Sequence, residues 1–245
     1  MKQRFFIRLM FDGTQYAGWQ RQPDAQTVEQ TLEEALSLLL RETVETVGAG
    51  RTDAGVHARE MVAHFDTEAA IDADDLTRRL NRLLPPDIVV KQIWLVSMDM
   101  HARFSASRRT YRYYVHTDKD PFAARYSLEL HQRLDFELMN QAASLLLKVD
   151  DFAAFAKTHT DVKTTLCRVA HAQWHKIDEQ HWYFEITANR FLRNMVRAVV
   201  GTLLKVGRGK TTLEEFDKII GSLDRCQAGD SVPAHALFLE KIEYK

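Results

Sequence analysis

The 245-residue sequence has little cysteine, no long apolar run and no low-complexity segment. Cys167 and Cys226 are isolated, with no cysteine or histidine at metal-ligand spacing, so neither a disulfide framework nor a zinc site is indicated. The apolar residues 5–7 are followed by Arg8 and Asp12, which makes the stretch too short and too charged for a signal peptide or a membrane span. We therefore expect a cytoplasmic protein without a membrane partner.

Acidic residues are absent from two stretches of the chain. Residues 100–117 and 186–213 contain no Asp or Glu and hold ten of the 33 Lys and Arg residues. The rest of the chain has 23 basic and 34 acidic residues, a balance of −11, although the whole chain has a net charge of −1. Solvated basic faces also produce such stretches, but two in one chain favour a surface that binds a polyanion.

The order of helical and strand patterns predicts an α+β protein. Long amphipathic segments alternate with strand-like segments that are mostly neighbours in sequence, which is typical of two similar lobes on antiparallel sheets flanked by helices. We place the lobes at 1–106 and 107–245. A long helix is predicted over 191–206, and its basic stripe at Arg193, Arg197 and Lys205 requires carboxylate or phosphate neighbours, because like charges four residues apart repel each other.

Residues 48–58 form the most informative stretch. Three glycines frame Arg51 and Asp53, so the backbone can turn tightly and a ligand can come close. Strand patterns on either side place Asp53 on a strand-to-strand connection, which positions a side chain rigidly. An ordinary turn stabilised by the Asp side chain is the alternative. Arg51, His57 and the small residues around Asp53 favour a reactive carboxylate.

An ionised Asp beside an Arg can act as a metal ligand, a general base or a nucleophile. A metal is disfavoured because no second carboxylate or suitably spaced His accompanies Asp53. Base and nucleophile both stay open. Arg51 or an Arg of the basic helix would keep the carboxylate charged. Tyr111, on a predicted strand, suits stacking on an extruded base, worth roughly 1–3 kcal/mol, although simple core packing also explains it.

Four groups of motifs carry a resemblance to a known family. Residues 50–58 resemble the signature of the tRNA pseudouridine synthase A family. Three further stretches resemble the other motifs of that family: residues 11–14 with 18–20, residues 102–106 with 109–113, and residues 189–197 with Gly201. The resemblance covers the whole chain. It implies the pseudouridine synthase fold, with an active-site cleft between the two lobes, and a homodimer whose chains share one tRNA-binding surface.

The same resemblance implies a role for each site residue. Asp53 would be the nucleophile, Arg197 would pair with its carboxylate, and Tyr111 would pack on the target uracil. Arg51 would help to draw out or replace the flipped nucleotide. The implied reaction isomerises uridine to pseudouridine at tRNA positions 38, 39 and 40, in the anticodon stem and loop, without metal or cofactor. Whether Asp53 attacks the ribose or the uracil ring stays open.

Two other functions compete with this interpretation. One is a tRNA-binding or remodelling protein that uses the basic stretches without chemistry. The other is a base-exchanging transglycosylase, which also uses an Asp nucleophile but needs a site for a second base. Such enzymes often carry a cysteine-rich zinc element that this sequence lacks.

Overall fold

A computed structural model describes residues 1–157 and 164–245. This part of the chain divides into two compact units. The first unit comprises Met1–Ser107 together with Leu239–Lys245, and the second comprises Arg108–Phe238. The last strand therefore contributes its final residues to the first unit.

The strands are numbered in chain order: β1 (Gln3–Phe11), β2 (Thr46–Gly48), β3 (His57–Thr67), β4 (Ile88–Val96), β5 (Ala106–His116), β6 (Leu128–Glu129), β7 (Val169–Lys176), β8 (His181–Ala188) and β9 (Leu237–Tyr244). The α-helices are α1 (Val28–Leu40), α2 (Ala73–Leu83), α3 (Phe136–Leu145), α4 (Met195–Gly207) and α5 (Leu213–Ser222). The predicted α+β class, with predominantly antiparallel strands and flanking helices, is confirmed.

In the first unit, β1 lies between β3 and β4 and pairs antiparallel with both. Short β2 also pairs antiparallel with β3, and β9 borders β3 on its other side. Phe6 and Ile7 of β1 are fully buried, so the centre of the sheet faces a packed core. Thr27 caps α1 by accepting a hydrogen bond from Gln30 N–H.

In the second unit, β8 lies between β5 and β7 and pairs antiparallel with both. Helices α3, α4 and α5 contact one another. Phe184 of β8, Val199 of α4 and Phe216 of α5 are fully buried, which places this unit's core around the inner faces of these elements.

Helix α4 begins at Met195, four residues later than the predicted start. Asn194 takes a left-handed conformation, with φ 66° and ψ 0°, so a continuous helix cannot run through it. Residues 191–194 therefore precede the helix as irregular backbone, a change of direction that apolar periodicity does not reveal.

Cys167 is buried and Cys226 is exposed, and both are free thiols. Across residues 1–157 and 164–245, no helix combines the length and hydropathy required to cross a bilayer.

Candidate active site

Asp53 lies in the connection between β2 and β3, as the sequence predicts. A turn over residues 53–56 is closed by Val56 N–H, which donates to Asp53 O at 3.1 Å. Gly55, the third residue of this turn, has φ 77°, a conformation that turns of this kind require at that position. The motif sequence therefore encodes the turn that presents the Asp53 side chain.

The N-terminal motif, residues 11–14 and 18–20, packs directly against this loop. A Cβ built on Gly18 would lie 2.2 Å from Thr52 O, and Gly18 has φ 95°, so both the space and the backbone conformation require glycine. Gly55 N–H donates to Tyr16 O at 3.2 Å. Two segments more than thirty residues apart in sequence thus hold each other through backbone atoms.

His57 connects the same two segments from inside the core. Its side chain is 1% exposed, and its Nδ1 accepts a hydrogen bond from Gly13 N–H at 3.0 Å. Asp12 Oδ1, which lies 3.0 Å from the same nitrogen, accepts hydrogen bonds from the Thr14 N–H and hydroxyl. His57 is thus a positioning residue for the loop that carries Asp53.

A buried Trp and Glu pair supports the N-terminal motif. Trp19 is 1% exposed and donates from Nε1 to Glu29 Oε1 at 3.0 Å, while Glu29 Oε2 accepts from Arg21 N–H. Burial raises the pKa of Glu29, although these hydrogen bonds partly oppose the shift. Gly48, at the start of the Asp53 loop, leaves the space that the Trp19 indole fills.

The loop presents its three polar side chains differently. Asp53 is half-buried, whereas Arg51 is exposed and takes part in no ion pair among the described residues. Thr52 is buried, and its Oγ1 has no hydrogen-bond partner within the described part of the chain. A buried hydroxyl without a partner normally costs stability, so Thr52 is a further site candidate beside Asp53.

The motif of residues 102–106 and 109–113 begins in the first unit, where residues 101–105 form a loop that contacts β3. The buried His64 accepts from Ala102 N–H at 3.2 Å, and Tyr244 OH donates to Ala102 O at 2.8 Å. Burial lowers the pKa of His64 to about 4, with Arg4 adding to the shift. His64 therefore stays neutral near pH 7 and can serve as an acceptor.

Tyr111 lies on β5 in the second unit, opposite Ile186 of β8. It is 9% exposed, and its ring meets the Phe191 ring edge to face, with 5.0 Å between centroids and 83° between planes. Phe191 belongs to the irregular segment before α4. The contact fixes the orientation of the Tyr111 ring, which a stacking platform requires.

Arg197 lies in the first turn of α4 and is held by residues 228–233, the covering segment. Its Nε donates to Val232 O at 2.7 Å, and Val232 N–H donates back to Arg197 O at 3.2 Å. A Cβ built on Gly201 would lie 1.8 Å from Asp230 O, so the covering segment lies directly on the helix backbone there. The basic stripe is therefore partly covered by chain rather than fully solvated.

Tyr113 and Ser231 extend the contacts of the covering segment. Tyr113 OH donates to Pro233 O at 3.0 Å, and burial raises the pKa of Tyr113 strongly, while the nearby Arg197 opposes that shift. Asn194 Nδ2 and Arg225 Nη2 both donate to Ser231 Oγ, at 2.5 and 3.0 Å. The covering segment thus links β5, the start of α4 and the Arg197 guanidinium.

The predicted site residues divide between the units. Arg51 and Asp53 belong to the first unit, whereas Tyr111 and Arg197 belong to the second. Sequence reasoning assigned no role to Thr52 and did not anticipate the covering segment. The sequence did contain a signal for Thr52, because this residue lies between Arg51 and Asp53 in the motif. The sequence contained no signal for the covering segment, because this segment acts mainly through backbone atoms.

Comparisons with known proteins bear on this arrangement. The family model described as "tRNA pseudouridine synthase" matches residues 8–105 and 142–245. The chain is similar to "tRNA pseudouridine synthase A" of Bacteroides thetaiotaomicron, with 55% identity over 244 residues, 99% of this chain and 91% of that protein. It is similar to the protein of the same name in Acetivibrio thermocellus, with 42% identity over 236 residues and 96% of each chain.

Proposed function

Because this chain belongs to the tRNA pseudouridine synthase family, we propose that it converts uridine to pseudouridine at tRNA positions 38, 39 and 40, in the anticodon stem and loop. Membership makes the chain an isomerase that acts on uridine in tRNA. The three positions and the roles of individual residues are the finer part of the proposal.

One observation carries these roles, the anchoring of the Asp53 loop. Gly18, His57 and the backbone of Tyr16 hold the loop from separate directions, while the Asp53 side chain stays half-buried. A carboxylate used only to stabilise a turn does not need such support. We assign Asp53 as the nucleophile, since a fixed, ionised carboxylate can attack an electrophilic carbon of the nucleotide.

Tyr111, Arg197 and Arg51 complete the proposed site. The Tyr111 ring, oriented by Phe191, packs on the flipped uracil. The Arg197 guanidinium, oriented by Val232 O, pairs with the Asp53 carboxylate and keeps it ionised. The exposed Arg51 side chain contacts the RNA and helps to hold the nucleotide out of its helix. Under this proposal, the active-site cleft is formed by both lobes.

The reaction balances without an added reactant. The bond between uracil N1 and ribose C1′ breaks, and a bond between uracil C5 and C1′ forms. C5 loses its proton and N1 gains one, so no electron or group is consumed. The detached base must be kept from water and from escape while it turns, which a stacked, closed pocket achieves.

The proposal includes a homodimer in the cytoplasm. The family resemblance supports the dimer. The two free cysteines support a reducing compartment, since oxidising compartments favour disulfides. Sedimentation of the purified protein with and without tRNA measures the dimer directly.

Tritium release tests the function. The purified protein is incubated with tRNA that carries tritium at uridine C5, because bond formation at that carbon must expel the label. We expect release from substrates with a single uridine at position 38, 39 or 40, and none from a matched tRNA with cytidine at all three. Binding without release would instead identify a non-catalytic tRNA-binding protein.

A further inference from the structure

The outer face of the β7–β8 pair carries a cluster unrelated to the Asp53 loop. His171 and His175 lie on β7, and Glu185 lies on β8. Each offers one ligand atom, and these three atoms all lie within 4.8 Å of one another. Two imidazoles and one carboxylate are a known ligand set for zinc.

The strand register explains why the three side chains converge. Glu185 pairs with Gln173, which lies midway between the two histidines on β7. Residues two apart on a strand share a face, so both histidines lie diagonally across from Glu185, within reach of long side chains. The His171 and His175 rings stack at 5.8 Å and 26°, and His175 stacks on Tyr183 at 5.0 Å.

The two histidines also have unsatisfied nitrogens. Nε2 of His171 and Nε2 of His175 are both buried, and neither has a hydrogen-bond partner among the described residues. A buried polar atom without a partner costs free energy unless something else satisfies it. Two such atoms beside one carboxylate indicate a shared ligand that accepts nitrogen lone pairs.

The distances suit a small divalent ion. Around a tetrahedral zinc with bonds of about 2.0–2.1 Å, neighbouring ligand atoms lie about 3.3 Å apart. His171 Nε2 is already 3.6 Å from Glu185 Oε1. The three ligand atoms lie within 4.8 Å of one another and must approach to about that tetrahedral spacing when the ion binds.

Arg112 on β5 has two opposite effects on this cluster: it orients the Glu185 carboxylate, and it disfavours a bound cation. Its Nε donates to Glu185 Oε2 at 2.7 Å, which leaves Oε1 facing His171 and fixes the carboxylate as hydrogen bonds from outside a metal site commonly do. Its positive charge also repels a cation. The site is therefore expected to bind a transition metal more weakly than the same ligands would without Arg112.

We propose that His171, His175 and Glu185 form a zinc site, with water as the fourth ligand. The site links β7 to β8 and contains none of the residues assigned to the isomerisation. Its metal stabilises this edge of the second unit by binding the folded state.

Metal binding to the full-length protein tests the proposal. Protein stripped with a chelator is titrated with Zn²⁺ by calorimetry, and with Co²⁺ by the visible absorption that tetrahedral nitrogen and oxygen ligands produce. We expect one ion per chain, at least about tenfold weaker binding in His171→Ala, His175→Ala and Glu185→Gln, and no change in His131→Ala, an exposed histidine of the same unit. A stoichiometry of zero, or equal affinity in all variants, would overturn the proposal.

Two further variants separate metal binding from effects on folding. Arg112→Met removes the repulsive charge, so Zn²⁺ affinity should rise several-fold. Gln173→Ala lies on the same strand face without a ligand atom for the site, and its Zn²⁺ affinity should equal that of the parent protein. A loss of affinity in Gln173→Ala as large as that in His175→Ala would contradict the assigned ligand set.

Discussion

The Asp53 loop and the Arg197 segment are held in place by different means. Around Asp53 the main constraint is backbone against backbone, because the space at Gly18 is closed by Thr52 O. Around Arg197 the constraint is a side chain that reaches the backbone of the covering segment at Val232. At Gly18 the first region has no room for a Cβ, whereas the orientation of the Arg197 side chain depends on individual hydrogen bonds.

This difference predicts how each region fails. A change that adds bulk to the first region displaces the whole loop, so stability and activity fall together. A substitution that removes a hydrogen bond in the second region changes the orientation of one guanidinium, so activity falls more than stability.

Gly18→Ala should have the largest effect on the folded protein. The new Cβ overlaps Thr52 O and forces an L-residue to adopt φ 95°, so the loop must move. We expect the free energy of unfolding to fall by about 2–4 kcal/mol. Turnover should fall by about 100-fold, since a displacement of about 1 Å at a reacting group has that cost. Urea denaturation and single-turnover tritium release measure the two effects.

Gly221→Ala is the matched control. Gly221 lies in α5, and a Cβ there has no atom within 4 Å. Stability should stay the same or rise by about 0.5–1 kcal/mol, because alanine favours the helix more than glycine does. Equal losses of stability in Gly18→Ala and Gly221→Ala would show that the loop places no special constraint on Gly18.

Arg197→Lys should lower activity with little loss of stability. Lysine keeps the charge but loses the planar guanidinium that donates to Val232 O. A hydrogen bond between charged groups contributes about 1.5–3 kcal/mol, so losing the proposed guanidinium pairing with the Asp53 carboxylate should lower turnover about 10- to 100-fold. Arg208→Lys, an exposed position just after α4, should keep the parent rate. Parent-level turnover in Arg197→Lys would show that the guanidinium geometry is not required.

Two histidines, His64 in the first unit and His181 in the second, should make stability depend on pH in opposite directions. The folded-state pKa of His64 is about 4, below its ordinary value of 6.5, because the side chain is buried. Between these values the unfolded chain binds a proton that the folded chain does not, so stability falls as pH drops from about 6.5 toward 4, by up to roughly 3 kcal/mol. His64→Asn keeps an acceptor for Ala102 N–H and should flatten this dependence.

His181 in the second unit provides the contrast. Its hydrogen bond to Asp178 raises its pKa, although partial burial opposes the shift. Its contribution is therefore present at pH values below about 6.5 and is lost as pH rises through the higher folded-state pKa. His181→Asn should lower the free energy of unfolding only at pH values below the folded-state pKa of His181. Parallel pH profiles for the His64→Asn and His181→Asn variants would contradict this assignment.

Local sequence predicted the parts that local rules govern. The α+β class and the position of Asp53 between two strands follow from periodicity and turn chemistry. The resemblance of residues 50–58 pointed to the family that the comparisons then established. These features involve residues close in sequence.

Features that depend on distant residues were not predictable. Val232 holds Arg197 through its carbonyl oxygen, a group that every residue has, so no side-chain pattern marks it. The left-handed Asn194 that delays α4 is tied to Ser231, thirty-seven residues away. His57 was visible in the motif, but its contact with Gly13 depends on how β1 and β3 pair.

The most direct test of the account is Asp53→Asn, measured for tRNA affinity and tritium release on the same preparation. Asparagine has nearly the same shape and suits the same turn, so the loop and the tRNA affinity should be preserved. The account predicts no release above a protein-free control, because the amide cannot act as the nucleophile. Release at the parent rate would contradict the central claim that the Asp53 carboxylate performs the chemistry.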